Sequence, residues 1–180
     1  MNRWKLGALA VAGVLLISAC QTQPTHYGPA SYDPPLPCAA RFEQRAGLLN
    51  LPPTRPRTSS ANSREPVQIA STISYDRRLS ASAQWTDFND GWSSLALRLK
   101  SVGAQSISVH LTDVALPAKS QIWLCSADGR TQEGPYRQAM DGQLWTSVVP
   151  GSEGWLDVLV PSQQRDQFKA TLFEIFGGFH

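Results

Sequence analysis

From residue 92 onward the chain repeats one pattern: apolar residues at alternate positions, in short runs closed by Gly or Pro. Leu95, Leu97 and Leu99 alternate with Ala96 and Arg98. Ile107, Val109 and Leu111 alternate with Ser106, Ser108, His110 and Thr112. Successive side chains of a strand point to opposite faces, so period two marks strands buried on one face. Gln121 to Ser126 is a third run, followed by the turn pair Asp128-Gly129. Leu144 to Val149 is a fourth and ends at Pro150-Gly151. Gly154 to Val160 is a fifth and ends at Pro161. Phe168 to Phe176 is a sixth, closed by Gly177 and Gly178. Thr72 to Ser82 is expected to add an edge strand. No long amphipathic helix interrupts the series, and no internal repeat is visible. The pattern predicts an all-β domain over residues 67–180, an antiparallel, jelly-roll-like β-sandwich.

The chain before it has a different texture. Nine of the 13 prolines fall in residues 21–66: Pro24, Pro29, Pro34, Pro35, Pro37, Pro52, Pro53, Pro56 and Pro66. Each lacks an N–H and restricts its predecessor, so neither helix nor sheet propagates well. Residues 20–66 therefore read as an extended tether. One exception lies inside it. Phe42, Ala46 and Leu49 share a helical face, so a short helix over 39–49 is expected, docked on the domain beside Cys38.

Residues 1–19 read as a targeting segment. Arg3 and Lys5 precede an apolar run from Leu6 to Ile17, about a dozen residues where a membrane span needs roughly 20. Ile17-Ser18-Ala19-Cys20 then places small residues before a thiol. This resembles the lipobox of bacterial lipoproteins, which implies cleavage before Cys20 and lipid on that cysteine. Gln21, where Asp would signal inner-membrane retention, implies the outer membrane, facing the periplasm. Arg3 and Lys5 leave with the segment, so 16 basic residues become 14, against 14 acidic. A neutral mature chain gives no electrostatic case for nucleic acid. Cys38 and Cys125 remain, and an oxidising compartment leaves two readings open: a disulfide between them or two unpaired thiols.

The β-region also carries ordered motifs. Trp92-Ser93-Ser94-Leu95-Ala96-Leu97-Arg98-Leu99 precedes Ser101-Val102-Gly103-Ala104. Leu116-Pro117-Ala118, Ile122-Trp123-Leu124, Gly134-Pro135-Tyr136 and Leu144-Trp145-Thr146-Ser147-Val148-Val149-Pro150-Gly151 follow. This series resembles the non-catalytic N-terminal β-domain of lysyl-endopeptidase-type secreted trypsin-like proteases. Val102, Lys119, Ser120, Ser147 and Glu153 depart from that family's pattern. The sequence ends at His180 with no counterpart of the family's catalytic residues. What the resemblance implies is therefore a fold and a non-catalytic role, akin to a protease pro-segment, with a protein partner in the envelope.

Chemistry is sparse. His26 lies in the tether, His180 is terminal, and His110 sits on the polar phase of its strand, where a surface or edge role is expected. No Gly-x-Ser-x-Gly elbow appears; Gly151-Ser152-Glu153-Gly154 reads as a loop. Cys125 lies in an apolar run, where an inert thiol or a disulfide is expected. No Cys-x-x-Cys or His-x-x-x-His spacing suggests a metal, and Asp87-Phe88-Asn89-Asp90-Gly91 lacks the rest of a calcium loop. No cofactor and no catalytic residue are expected. Trp123 and Trp155 stand on the opposite phase from Ile122/Leu124 and Leu156/Val158, so they mark a candidate binding face. The sequence supports a lipid-anchored, non-catalytic module that binds a protein, a secreted protease being the candidate partner, with a glycan- or cell-wall-binding module as the alternative.

Overall fold

The computed structural model describes residues 33–38, 47–54 and 68–179. Its strands are β1 (Gly47–Leu51), β2 (Ala70–Arg78), β3 (Trp85–Asp87), β4 (Trp92–Ser101) and β5 (Ser106–Ala115). They continue with β6 (Gln121–Ser126), β7 (Gln132–Tyr136), β8 (Leu144–Trp145), β9 (Val149–Pro150), β10 (Glu153–Pro161) and β11 (Lys169–Gly178). A one-turn helix, α1 (Leu79–Ser82), follows β2, and a 3-10 helix (Ser162–Gln167) joins β10 to β11. Sheet A runs β1-β4-β10-β6-β7, with β3 also paired to β4. Sheet B runs β2-β11-β5-β8, with β9 also paired to β5. All pairings are antiparallel except β1 with β4. The all-β sandwich expected from the alternation is thus present, as two open sheets.

The alternation sorts as period two requires. Leu95, Leu97 and Leu99 of β4, Ile122 and Leu124 of β6, and Leu156, Val158 and Val160 of β10 bury their side chains in one core. Ile107, Val109 and Leu111 of β5 and Leu172 and Ile175 of β11 belong to the same core. Full burial of such a side chain is worth roughly 1.5–3 kcal/mol, so the two inner faces dominate stability. The run Leu144–Val149 is not one strand. It splits into β8 and β9, and Thr146 bridges the gap: its N–H donates to the Val109 carbonyl and its hydroxyl accepts from the Val109 N–H, both at 3.0 Å.

Two pieces of the expected tether belong to the folded unit. Gly47–Leu51 is strand β1, parallel to β4 from Leu97 to Ser101, where the end of a helix over 39–49 was expected. The reason is tertiary: Leu51 enters the core and Leu49 packs against it. Residues 39–46 lie outside the described residues, as do the targeting segment, Cys20 and residues 55–67. Beyond β1 the chain is locked to the β4–β5 turn. The Thr54 N–H donates to the Val102 carbonyl at 2.8 Å, and its hydroxyl meets Ser101 Oγ at 2.5 Å. The second piece is Asp33–Cys38, which ends on the outer face of sheet A. The folded unit therefore starts well before the boundary at residue 67 that composition suggests.

Candidate functional site

The outer face of sheet A carries the expected binding face, and the part of it around Trp155 is covered by the segment that ends at Cys38. Cys38 forms a disulfide with Cys125, with Cα atoms 6.5 Å apart, across 87 residues of sequence. Of the two open readings of the cysteines, the bridge is the one present. Cys38, Cys125 and Trp155 form a small second core, with Trp123 packed against it. Trp155 is only 8% exposed. The Arg98 guanidinium lies 5.6 Å from the Trp155 ring centre, and Arg98 Nε donates to Glu153 at 2.6 Å. That hydrogen bond raises the Arg98 pKa, opposed by desolvation and helped by the Glu153 charge. Trp123 is half-buried and donates its indole N–H to Gln121 at 3.0 Å. A Cβ at position 134 would come within 2.9 Å of the Trp123 ring, so Gly134 lets β7 lie against that indole. Trp123 and Trp155 do share the outer face, as their phase implies, but they are packing groups there.

Asp157 sits beneath the same cover. It has no exposed surface, and its carboxylate accepts from the Ser94 hydroxyl and the Cys38 N–H, both at 2.5 Å. Desolvation pushes its pKa up to about 6, against the pull of those two donors. This carboxyl ties the Asp33–Cys38 segment to β10 at a second point beside the disulfide. Its place is structural.

The Asp87–Gly91 stretch is a hairpin turn between β3 and β4. Asp87 accepts from Ser93 at 2.6 Å and pairs with Arg165 at 3.2 Å, while Asp90 accepts from the Trp92 N–H at 3.2 Å. Among the described residues no group of three His, Cys, Asp or Glu side chains converges as a metal site.

The outer face of sheet B is different. Register lines up Ser74, Glu174, His110 and Trp145 as one row across β2, β11, β5 and β8. Thr72, Phe176 and Ser108 form the next row. Direct cross-strand neighbours share a face, so these side chains form one surface. Trp145 is 57% exposed although it belongs to a strand. The imidazole of His110 stacks on it, with ring centres 3.6 Å apart and planes 12° from parallel. Trp145 therefore roofs His110, which is only 7% exposed. Sequence phase placed His110 on the outer face but suggested a surface residue; its neighbour across the strands covers it instead. Phe173 meets the imidazole edge-on at 5.4 Å, and Phe176 lies 5.6 Å from Trp145. Both imidazole nitrogens are engaged: Nδ1 lies 3.3 Å from Glu174 and Nε2 lies 2.6 Å from Gln143 Oε1. The amide of Gln143 thus stands where a catalytic hydroxyl would have to be if His110 were its base. What the arrangement can do is hold one indole flat and rigid, its lower face on His110 and its upper face in solvent, flanked by the exposed Gln143 and the part-exposed Glu174. Sequence reasoning missed this cluster because Leu144 to Val149 was read as one continuous strand and Trp145 was given no place of its own in it. The signal that could have found it is phase: Leu144 and Trp145 are adjacent, so they must face opposite ways.

Comparison with protein-family models, curated proteins and solved structures gives no match for this chain.

Proposed function

We propose that this chain is a lipid-anchored protein of the bacterial cell envelope, a non-catalytic binding module whose ligand face is the outer surface of sheet B. The observation that carries the reading is the contrast between the two outer faces. Sheet A buries Trp155 at 8% exposure behind a disulfide-fixed segment, whereas sheet B presents Trp145 at 57% on a packed aromatic base. Trp145 does not stand alone: Phe176 lies beside it and Phe173 beside His110, and a contiguous aromatic surface of this kind supports a binding role better than a single exposed ring would. The order of charge, apolar run, small residues and Cys20 supports removal of residues 1–19, lipid on Cys20 and an outer-membrane location facing the periplasm. The test is co-sedimentation of the detergent-solubilised full chain with washed envelope fragments. Capture of the wild type and at least tenfold weaker capture of Trp145→Ala are expected. Equal capture of the two overturns the reading.

A further inference from the structure

Resting on that reading of sheet B, we infer that the ligand of the Trp145 surface is a saccharide chain, a β-linked run of pyranoses with equatorial substituents. Four observations converge. The first is the posture of the indole. Its stacking on His110, 12° from parallel, fixes the ring, and 57% exposure leaves its upper face to solvent. A pyranose whose substituents are equatorial points its axial C–H bonds at such a face and stacks on it, the weakly positive C–H edge meeting the negative π surface.

The second is what surrounds the ring. Gln143 is exposed, the Glu174 side chain keeps 23% of its surface, and Ser74, Thr72 and Ser108 complete the two rows. Phe176 shares the second row and Phe173 adjoins His110, so amide, carboxylate and hydroxyl groups are interleaved with aromatic rings, a mixture that complements a ligand with hydroxyls on its rim and C–H bonds on its faces.

The third is charge. The two rows carry the Glu174 carboxylate and contain no Lys or Arg. That complements an uncharged polymer and disfavours anionic ones. The fourth is shape. Trp145 stands 57% exposed on a sheet face that no described residue encloses, so a chain can cross the face with one ring on Trp145 and its neighbours toward Phe176.

The detergent-solubilised full chain, titrated with chitohexaose and with cellohexaose, tests the inference by tryptophan fluorescence. A saturable change with at least one of the two is expected. Trp145→Ala should weaken it at least tenfold, and Trp145→Phe should weaken it less. Trp123→Phe, on the covered face, should leave the affinity unchanged. Circular dichroism checks that Trp145→Ala is folded; if it is not, the Phe variant carries the comparison. No response to either hexasaccharide overturns the inference. If envelope capture still depends on Trp145 and is abolished by protease treatment of the fragments, the ligand is a protein, and the binding-module reading survives alone. If capture does not depend on Trp145, both fall.

Discussion

At the scale of single residues, Asp157 and Trp145 show two opposite departures from the usual rule of burial. Asp157 is a carboxylate with no exposed surface, held by two donors. Its pKa is raised to about 6, so the folded chain binds this proton more tightly than the unfolded chain does. Protonation therefore stabilises the fold. The contribution of this group is most favourable below pH 4, declines as pH rises toward about 6, and is level above that. Integrated over the window it amounts to about 3 kcal/mol. Asp157→Asn removes the titration. Urea unfolding at pH 4, 5, 6 and 7 should show the wild type losing stability relative to the variant as pH rises through this range. A wild-type-to-variant difference constant with pH would exclude the buried carboxyl as its source. Neither departure was fully legible in sequence. The phase of Asp157 put it on an outer face, and only the Cys38 segment makes that face an interior. Trp145 was not singled out because its run looks continuous. His110 was read as exposed because its roof comes from a residue 35 positions away.

At the scale of elements, the Asp33–Cys38 segment and β1 are held by contacts that span the chain. The Cys38–Cys125 bridge closes a loop of 87 residues, for which chain entropy alone gives about 4–5 kcal/mol. The double variant Cys38→Ser/Cys125→Ser should lose several kcal/mol of unfolding free energy in urea. Dithiothreitol should lower the wild-type midpoint and leave the variant's where it was. The lock beyond β1 gives a second expectation. Gly103 has φ +88, and a Cβ there would meet the Thr54 carbonyl oxygen at 2.5 Å. Gly103→Ala should therefore cost about 1–3 kcal/mol, measured by the same unfolding, whereas Val102→Ala, at an exposed site, should cost little.

The central strands β4, β5, β6, β10 and β11 were legible because each alternates over its own length. β1 was not, since Phe42, Ala46 and Leu49 supply a competing helical period and the pairing partner lies some 50 residues on. β7 was hidden by Gly134-Pro135, residues an edge strand tolerates and a central strand does not. The break between β8 and β9 depends on a side-chain hydroxyl taking over a backbone pairing, which periodicity does not register.

At the scale of the whole molecule, the two sheets divide the labour. Sheet A receives the N-terminal segment, and sheet B keeps an open face. With lipid on Cys20, membrane fractionation should find the wild type in the membrane pellet and Cys20→Ser in the soluble fraction; a variant that still pellets would remove lipid as the anchor. The sandwich was legible at this scale, because period-two runs between Gly and Pro turns leave few other ways to bury an apolar face. The division of labour was not, because it follows from one covalent bond between residues far apart in sequence.

That bond also sets the geometry of approach to a surface. A tether of composition alone, from residue 20 to residue 66, would have a contour of about 160 Å. With Asp33–Cys38 held on the body by the disulfide, the leash from Cys20 to Asp33 would span a contour of at most about 45 Å. If lipid on Cys20 anchors the chain as proposed, the leash meets the body at a segment that ends on the outer face of sheet A, away from the face that carries Trp145, so tension from a bilayer would turn the indole away from the membrane.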